Sequence, residues 1–185
     1  MSITYIHYGS TTFDMDRYVD VKNDDCFLKP IGGFYAVREE FADAYVSFAE
    51  DSSVQHLEEG LKSSFKFKLR HGSNVVEVHS VKDLMELPTT SVKERMYTVI
   101  PYEPGKTEEL LQKDGLSVYD IVNIHNTSTC TVKGPCPILD FERLKESGVD
   151  AIEIFIHEDM FLYYALYGYD TTQILVLNPD IIEPL

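Results

Sequence analysis

The fold is decided by the stretch VDAIEIFI at 149–156, which is almost entirely apolar and rich in β-branched residues. Such a run is typical of a strand buried on both faces. The apolar segment 158–167 follows it and predicts a helix that ends at Gly168, and 174–177 predicts a second buried strand. The end of the chain is therefore expected to form the centre of a sheet with a helix packed against it.

Working outward, the rest of the chain alternates strand and helix patterns irregularly. Strands are predicted at 3–8, 34–37, 65–70, 75–78 and 97–100, and helices from 38 to about 48, at 54–61, after Ser80, near 107–113 and at 139–145. Phe65, Phe67 and Leu69 alternate with basic residues, and the turn residues 71–74 follow, so 65–78 predicts a hairpin. The stretch 125–137 is predicted to be turn-rich. We therefore expect an α+β fold in a single domain, 1–185.

The composition limits the possible functions. Asp and Glu outnumber Lys and Arg by 31 to 16, and the formal charge of −15 disfavours non-specific binding to nucleic acid. The basic segment FKFKLR at 65–70 is interpreted as the solvated face of a strand. There is no long apolar run of the kind that crosses a membrane, and the first residues lack a secretory pattern, so no membrane association and a cytoplasmic location are expected.

The three cysteines are Cys26, Cys130 and Cys136. An odd number without an export signal argues against a disulfide framework, and the spacing of Cys130 and Cys136 does not match a zinc knuckle. Even with His125 or His157 as further ligands, the spacing does not predict a metal site. The cysteines are expected to be free thiols in loops.

Three positions are unusual on structural grounds. His7 lies on a strand that should be buried, the pair Gly32-Gly33 lets a flat ligand approach the following strand closely, and Glu153 interrupts the most apolar stretch. Each has a structural interpretation as well, namely a core histidine, an ordinary turn and a surface glutamate. Known motifs for phosphate loops, dinucleotide folds, serine hydrolases and zinc proteases are missing from the sequence.

Together these positions resemble the ADP-ribosyltransferase superfamily, in the type that uses a histidine, a tyrosine and a glutamate on three strands. The corresponding segments are YIHYGS at 5–10, GGFYA at 32–36 and DAIE at 150–153. Most of the chain is also similar to a group of uncharacterised bacterial and phage proteins that share IHYGS, KPxGG, DAIE and LNPD motifs. The resemblance implies a fold of split mixed and antiparallel sheets flanked by helices.

The resemblance also implies NAD⁺ as substrate, an acceptor of unknown identity that is expected to be a protein, and no metal. Glu153 would be the catalytic residue and stabilise the oxocarbenium-like ribose. The cofactor-binding residues implied are His7, Tyr8, Gly9, Ser10, Gly33 and Tyr35. In this scheme His7 holds the ribose, Tyr35 stacks on the nicotinamide, and the backbone of Gly9 binds its carboxamide.

Two departures leave alternatives open. Tyr8 separates His7 from Gly9, so Tyr8 is the other candidate for the histidine position, and Ala151 stands where enzymes that modify arginine or asparagine often carry Glu or Gln. A domain that binds NAD⁺ without transferring ADP-ribose is one alternative function. The other is a non-catalytic acidic binding protein, such as an immunity or inhibitor protein that mimics nucleic acid.

Overall fold

The computed structural model describes residues 3–23, 29–99, 102–113, 115–124, 127–166 and 169–185. The strands are β1 (Tyr5–Tyr8), β2 (Phe34–Arg38), β3 (Ser64–Leu69), β4 (Val75–Val78), β5 (Thr89–Val99), β6 (Ser117–Ile124), β7 (Thr127–Leu139), β8 (Ala151–Ile154), β9 (Gln173–Val176) and β10 (Ile182–Pro184). The helices are α1 (Ala42–Asp51), α2 (Gln55–Gly60), α3 (Val81–Met85), α4 (Lys106–Lys113), α5 (Phe141–Glu146) and α6 (Met160–Ala165). None of these helices is both long and apolar enough to span a membrane.

The strands form two sheets, one of seven strands in the order β10-β3-β1-β2-β9-β8-β4 and one of three in the order β5-β7-β6. Among the strands that the structure describes, only β4 and β8 pair in parallel, and the other pairs are antiparallel. Helices and strands are mixed irregularly along the chain. The fold is therefore α+β, as the sequence predicted.

Each face of the seven-stranded sheet carries its own apolar core. On the face that we call the helix face, residues such as Ile152, Ile154 and Leu175 pack with apolar residues of α3–α6 and of the small sheet. On the other face, which we call the aromatic face, the core contains Tyr5, Phe65 and Phe67. Because successive strand residues point to opposite faces, neighbours in sequence contribute to different cores.

The hairpin predicted at 65–78 is wrong. β3 lies between β1 and β10, whereas β4 lies at the far edge of the sheet beside β8. The alternation of Phe65 and Phe67 with the exposed Lys66 and the half-buried Lys68 correctly identified a half-buried strand with a basic face. It could not identify the neighbouring strand, because alternation reports which side is buried and not what pairs along the edge.

The turn-rich interpretation of 125–137 is also wrong for the described residues 127–137, because 127–139 forms the long central strand of the small sheet. Pro135 and Pro137 are tolerated there for a local reason. In the described residues the register of β7 with β6 ends at Lys133, so both prolines lie beyond it, in the part of β7 that pairs with β5. Cys130 and Cys136 are accordingly buried strand residues and not loop thiols.

Several helix predictions are confirmed with small shifts of their ends. Ser80 caps α3 by accepting a hydrogen bond from the backbone N–H of Asp83, and Gly148 adopts a left-handed φ of 84° just beyond α5. The predicted end of the helix that follows β8, Gly168, lies outside the described residues. The sequence predicts these helix ends because a capping interaction involves residues that are close together in the chain.

β1 and β2 pair over a short length and then separate. The two strands pair only through Tyr5 with Arg38 and Ile6 with Val37. Beyond these pairs, the N–H of Gly9 bonds to Ser63 beside β3, while the earlier part of β2 pairs with β9. A notch therefore opens between the two strands from His7 onward.

Gly32 shapes the entry to β2 and provides a stability test. It has a φ of +77°, and a Cβ there would lie 2.5 Å from the carbonyl oxygen of Asp20 and 2.7 Å from that of Val19. Gly72 has a similar φ of +87° but open space around it. We expect Gly32→Ala to lower the free energy of unfolding by roughly 1–3 kcal/mol more than Gly72→Ala, because only Gly32 adds overpacking to the backbone strain. Urea unfolding of both variants measures the difference, and equal losses would contradict it.

Candidate functional site

A cavity of about 230 Å³ lies on the aromatic face beside the notch, and we call it the histidine cavity. Its lining residues are His7, Gly9, Ser10, Thr12, Phe13, Asp14, Arg17, Tyr18, Gly33 and Phe34. It therefore brings together four of the predicted cofactor-binding residues, from the end of β1 and from the glycine turn before β2. The aromatic side chain that stacks on His7 here is Phe34, with ring centroids 4.3 Å apart.

A second cavity of about 100 Å³ lies on the helix face of the same notch, and we call it the tyrosine cavity. Its lining residues are Ile6, His7, Tyr8, Tyr35, Ala36, Val37, Tyr45 and Gln173. The rings of Tyr8 and Tyr45 stack at 5.0 Å. The remaining two predicted cofactor-binding residues, Tyr8 and Tyr35, thus line this cavity, and His7 lines both cavities.

His7 spans the gap between the separating strands. Its Nδ1 lies 2.7 Å from the carbonyl oxygen of Tyr35, and since a carbonyl only accepts, Nδ1 carries the proton. Burial lowers the pKa of His7, an effect partly opposed by the bond to Tyr35, so the ring is neutral at pH 7. Its Nε2 is consequently left with a lone pair that can accept a hydrogen bond from a hydroxyl group.

Tyr35 points to the face opposite His7 and Phe34. The Nζ of Lys29 lies 5.3 Å from its ring centroid and 4.9 Å from that of Tyr169, a cation–π arrangement that holds the ring. Burial raises the pKa of Tyr35, so the side chain stays a neutral phenol. A flat, uncharged wall results.

Glu153 lies in the core of the aromatic face, with its side chain only 1% exposed. Nε of Arg38 donates to Oε1 at 2.7 Å, and Nη2 donates to Oε2 at 2.6 Å. The hydroxyl of Tyr5 donates to Oε2 at 3.2 Å. The two hydrogen bonds from Arg38 offset the cost of burying the Glu153 carboxylate in an apolar core. Glu153 is not among the described residues that line either cavity.

Arg38 connects Glu153 to the surface. Its Nη2 also donates to Glu77 at 2.7 Å, its Nη1 lies 3.6 Å from Glu40, and its guanidinium lies 4.7 Å from the ring centroid of Phe155. The hydrogen bond to Glu153 is the main cause of a raised pKa of Arg38. Burial and the charge of Glu153 raise the pKa of Tyr5, so the phenol remains a donor.

Three polar groups beside the notch already have hydrogen-bond partners. The N–H of Gly9 bonds to Ser63 at 2.9 Å, and that of Gly33 bonds to Val19 at 2.9 Å. The Ser10 hydroxyl bonds to the carbonyl of Thr12 at 3.0 Å. These three groups would have to exchange partners before they could bind a ligand.

Sequence analysis missed Arg38, Phe34, Tyr45 and Gln173. Arg38 ends an apolar strand, which is a weak signal for a buried ion pair with a residue 115 positions away. Phe34 and Tyr35 are adjacent, and only strand orientation decides which of them faces which cavity. Among the described residues, no cluster of three or more His, Cys, Asp or Glu side chains is arranged for a metal ion. Cys26 and His125 lie outside the described residues.

Compared with known proteins, the chain matches no protein-family model, no curated protein and no solved structure. The resemblance to the ADP-ribosyltransferase superfamily therefore rests on the three short motifs.

The Arg38–Glu153 pair predicts a large difference between one substitution and two. Arg38→Met leaves the Glu153 carboxylate buried without its main partner and should lower the free energy of unfolding by about 3–5 kcal/mol. The double variant Arg38→Met/Glu153→Leu removes both charges and should recover most of that loss. Urea unfolding measures both.

A matched control is Lys66→Met, which breaks an exposed ion pair with Glu39 and should cost less than about 1 kcal/mol. A double variant no more stable than Arg38→Met alone would contradict the interpretation that the pair mainly neutralises a buried charge.

Proposed function

We propose that this chain is an ADP-ribosyltransferase-like domain that binds NAD⁺ in the notch between β1 and β2. The observation that carries the proposal is that the six residues implied by the resemblance line two cavities that share His7. A strand that separates from its neighbour exposes side chains on both faces at one place. Such a place can hold the two ends of an elongated ligand.

The size of the histidine cavity limits what it holds. At about 230 Å³ it is smaller than the roughly 300–1,000 Å³ typical of small-molecule pockets, so part of a dinucleotide would extend beyond it. The Nε2 atom of His7 can accept a hydrogen bond that a ribose hydroxyl donates. Arg17, which lines the same cavity, offers a positive charge near which a diphosphate is favoured.

Transfer of ADP-ribose to an acceptor, expected to be a protein, is the second part of the proposal. Glu153 would accept a hydrogen bond from a ribose hydroxyl and stabilise the positive charge that grows as the bond to nicotinamide breaks. For that role the carboxylate must exchange at least one of its bonds to Arg38 for the ligand. Glu77 and Glu40 already contact Arg38 and are the anions that would hold it after the exchange.

A second candidate function is NAD⁺ binding without transfer. The observation that favours it is the state of Glu153, whose carboxylate is buried and already bonded to Arg38 and Tyr5. In such a domain the Arg38–Glu153 pair would be structural, and the notch would act only as a receptor for the dinucleotide.

NAD⁺ binding is tested with a pair of histidine variants. His7→Phe keeps the ring stacking with Phe34 but removes both ring nitrogens, so we expect it to weaken NAD⁺ binding by about tenfold or more. His71→Phe changes an exposed histidine of the β3–β4 connection and should leave the affinity unchanged. Isothermal titration calorimetry gives both dissociation constants. Wild-type protein that does not bind NAD⁺ would refute the proposal.

Transfer is tested by Glu153→Gln, which keeps the side-chain size and removes the charge. We expect nicotinamide release from NAD⁺ to fall by about 10²–10³-fold, with Glu183→Gln, an exposed residue of β10, as the unaffected control. Chromatography of released nicotinamide measures the rate, and the melting temperature monitors the fold.

The outcomes separate the candidate functions. Equal turnover by wild-type and Glu153→Gln protein would remove Glu153 from catalysis. Saturable NAD⁺ binding without turnover in the wild type would favour the binding domain. Binding of a basic protein by a chain that does not bind NAD⁺ would support the alternative of a non-catalytic acidic binding protein.

A further inference from the structure

Gln173 is a buried polar residue in the tyrosine cavity to which the proposed function gives no role. It opens β9, is 8% exposed, and lies on the helix face. Its Nε2 donates to the carbonyl of Thr171 at 3.3 Å. Among the described residues, its Oε1 has no hydrogen-bond partner. This oxygen is therefore an acceptor that a ligand in the cavity can use.

The cavity around Gln173 suits a flat and uncharged group. Its described lining contains no Asp, Glu, Lys or Arg, and His7 is neutral there. The walls are the phenol rings of Tyr8, Tyr35 and Tyr45. With a volume of about 100 Å³, it is of the order of the 150 Å³ cavity that accepts benzene in an engineered core, so one aromatic ring fills it. Ring stacking on tyrosine is favourable in such a space.

The amide of Gln173 can recognise a polar group on that ring, beside the hydroxyl of Tyr35, which is buried without a hydrogen-bond partner among the described residues. The N–H group of Gly9, whose backbone the family resemblance offers for a carboxamide, is already bonded to Ser63. Gln173 provides a free acceptor and a second N–H donor on one planar group. This pair of groups matches the donor and acceptor of a carboxamide.

We propose that Gln173 determines specificity in the tyrosine cavity by pairing with the carboxamide of a nicotinamide ring. The inference rests on the proposed NAD⁺ binding and adds which side chain recognises the nicotinamide ring. Oε1 of Gln173 accepts from the carboxamide NH₂, and Nε2 donates to the carboxamide oxygen. A nicotinic acid ring presents a carboxylate in the same place, which removes the donor and sets a negative charge against Oε1.

The test compares NAD⁺ with its nicotinic acid counterpart, deamido-NAD⁺, by isothermal titration calorimetry. Wild-type protein should prefer NAD⁺ by about tenfold or more, since the acid loses one hydrogen bond and places its carboxylate against Oε1 of Gln173. Gln173→Leu should bind NAD⁺ more weakly and lose the preference. Gln173→Glu should retain or increase the preference, because it still accepts from NH₂ but repels a carboxylate.

Gln112→Leu, in an exposed position of α4, is the matched control and should behave as wild type. Thermal melting excludes variants that do not fold, and free nicotinamide and nicotinic acid serve as smaller probes of the same preference. The inference is wrong if the wild type binds both dinucleotides equally, or if Gln173→Leu keeps the preference for NAD⁺. In either case Gln173 does not recognise the carboxamide, and the proposed NAD⁺ binding is unaffected. If the wild type binds neither dinucleotide, the proposed function and this inference fall together.

Discussion

The short pairing of β1 with β2 is the constraint on which the rest of the site depends. The strands hydrogen-bond through two residue pairs and then part, so their facing backbone groups need other partners. The N–H of Gly9 continues the ladder with β3 by donating to the carbonyl of Ser63, whereas on the β2 side Nδ1 of His7 donates to the carbonyl of Tyr35. A side chain thus replaces a ladder bond, and the space beyond it is open on both faces of the sheet.

This arrangement explains why consecutive residues of GGFYA have different surroundings. Gly33 has a φ of +76°, which a glycine adopts without strain, and this turn starts β2 directly beside the histidine cavity. Phe34 then points to the aromatic face, where it stacks on His7, and Tyr35 points to the tyrosine cavity. The two faces of this pleated strand therefore line cavities of different chemistry. The described lining of the histidine cavity contains hydroxyl and charged side chains, and that of the tyrosine cavity contains tyrosines and the amide of Gln173.

The second constraint is electrostatic. A carboxylate that is 1% exposed in the middle of the sheet persists because Arg38 bonds to both of its oxygens and Tyr5 bonds to one. The pair ties β1, β2 and β8 together on the aromatic face. It also separates a structural role of Glu153 from a chemical one. A carboxylate that keeps both hydrogen bonds to Arg38 is structural, and one that binds a ligand must give up at least one of them. The exposed acids around Arg38 make an exchange of partners physically accessible.

The sequence by itself determined the α+β class, the buried strand at 149–156, the capped helices and the amphipathic strand at 65–70. All of these depend on residues close together in the chain, such as Ser80 with Asp83. Only the tertiary structure decided that 65–78 is not a hairpin, that 127–139 is a strand despite its prolines, that Arg38 holds Glu153, and that Gln173 lies beside Tyr35. The physical reason is that periodicity tells which side of a strand is buried, whereas its neighbours are set by packing between segments that are distant along the chain.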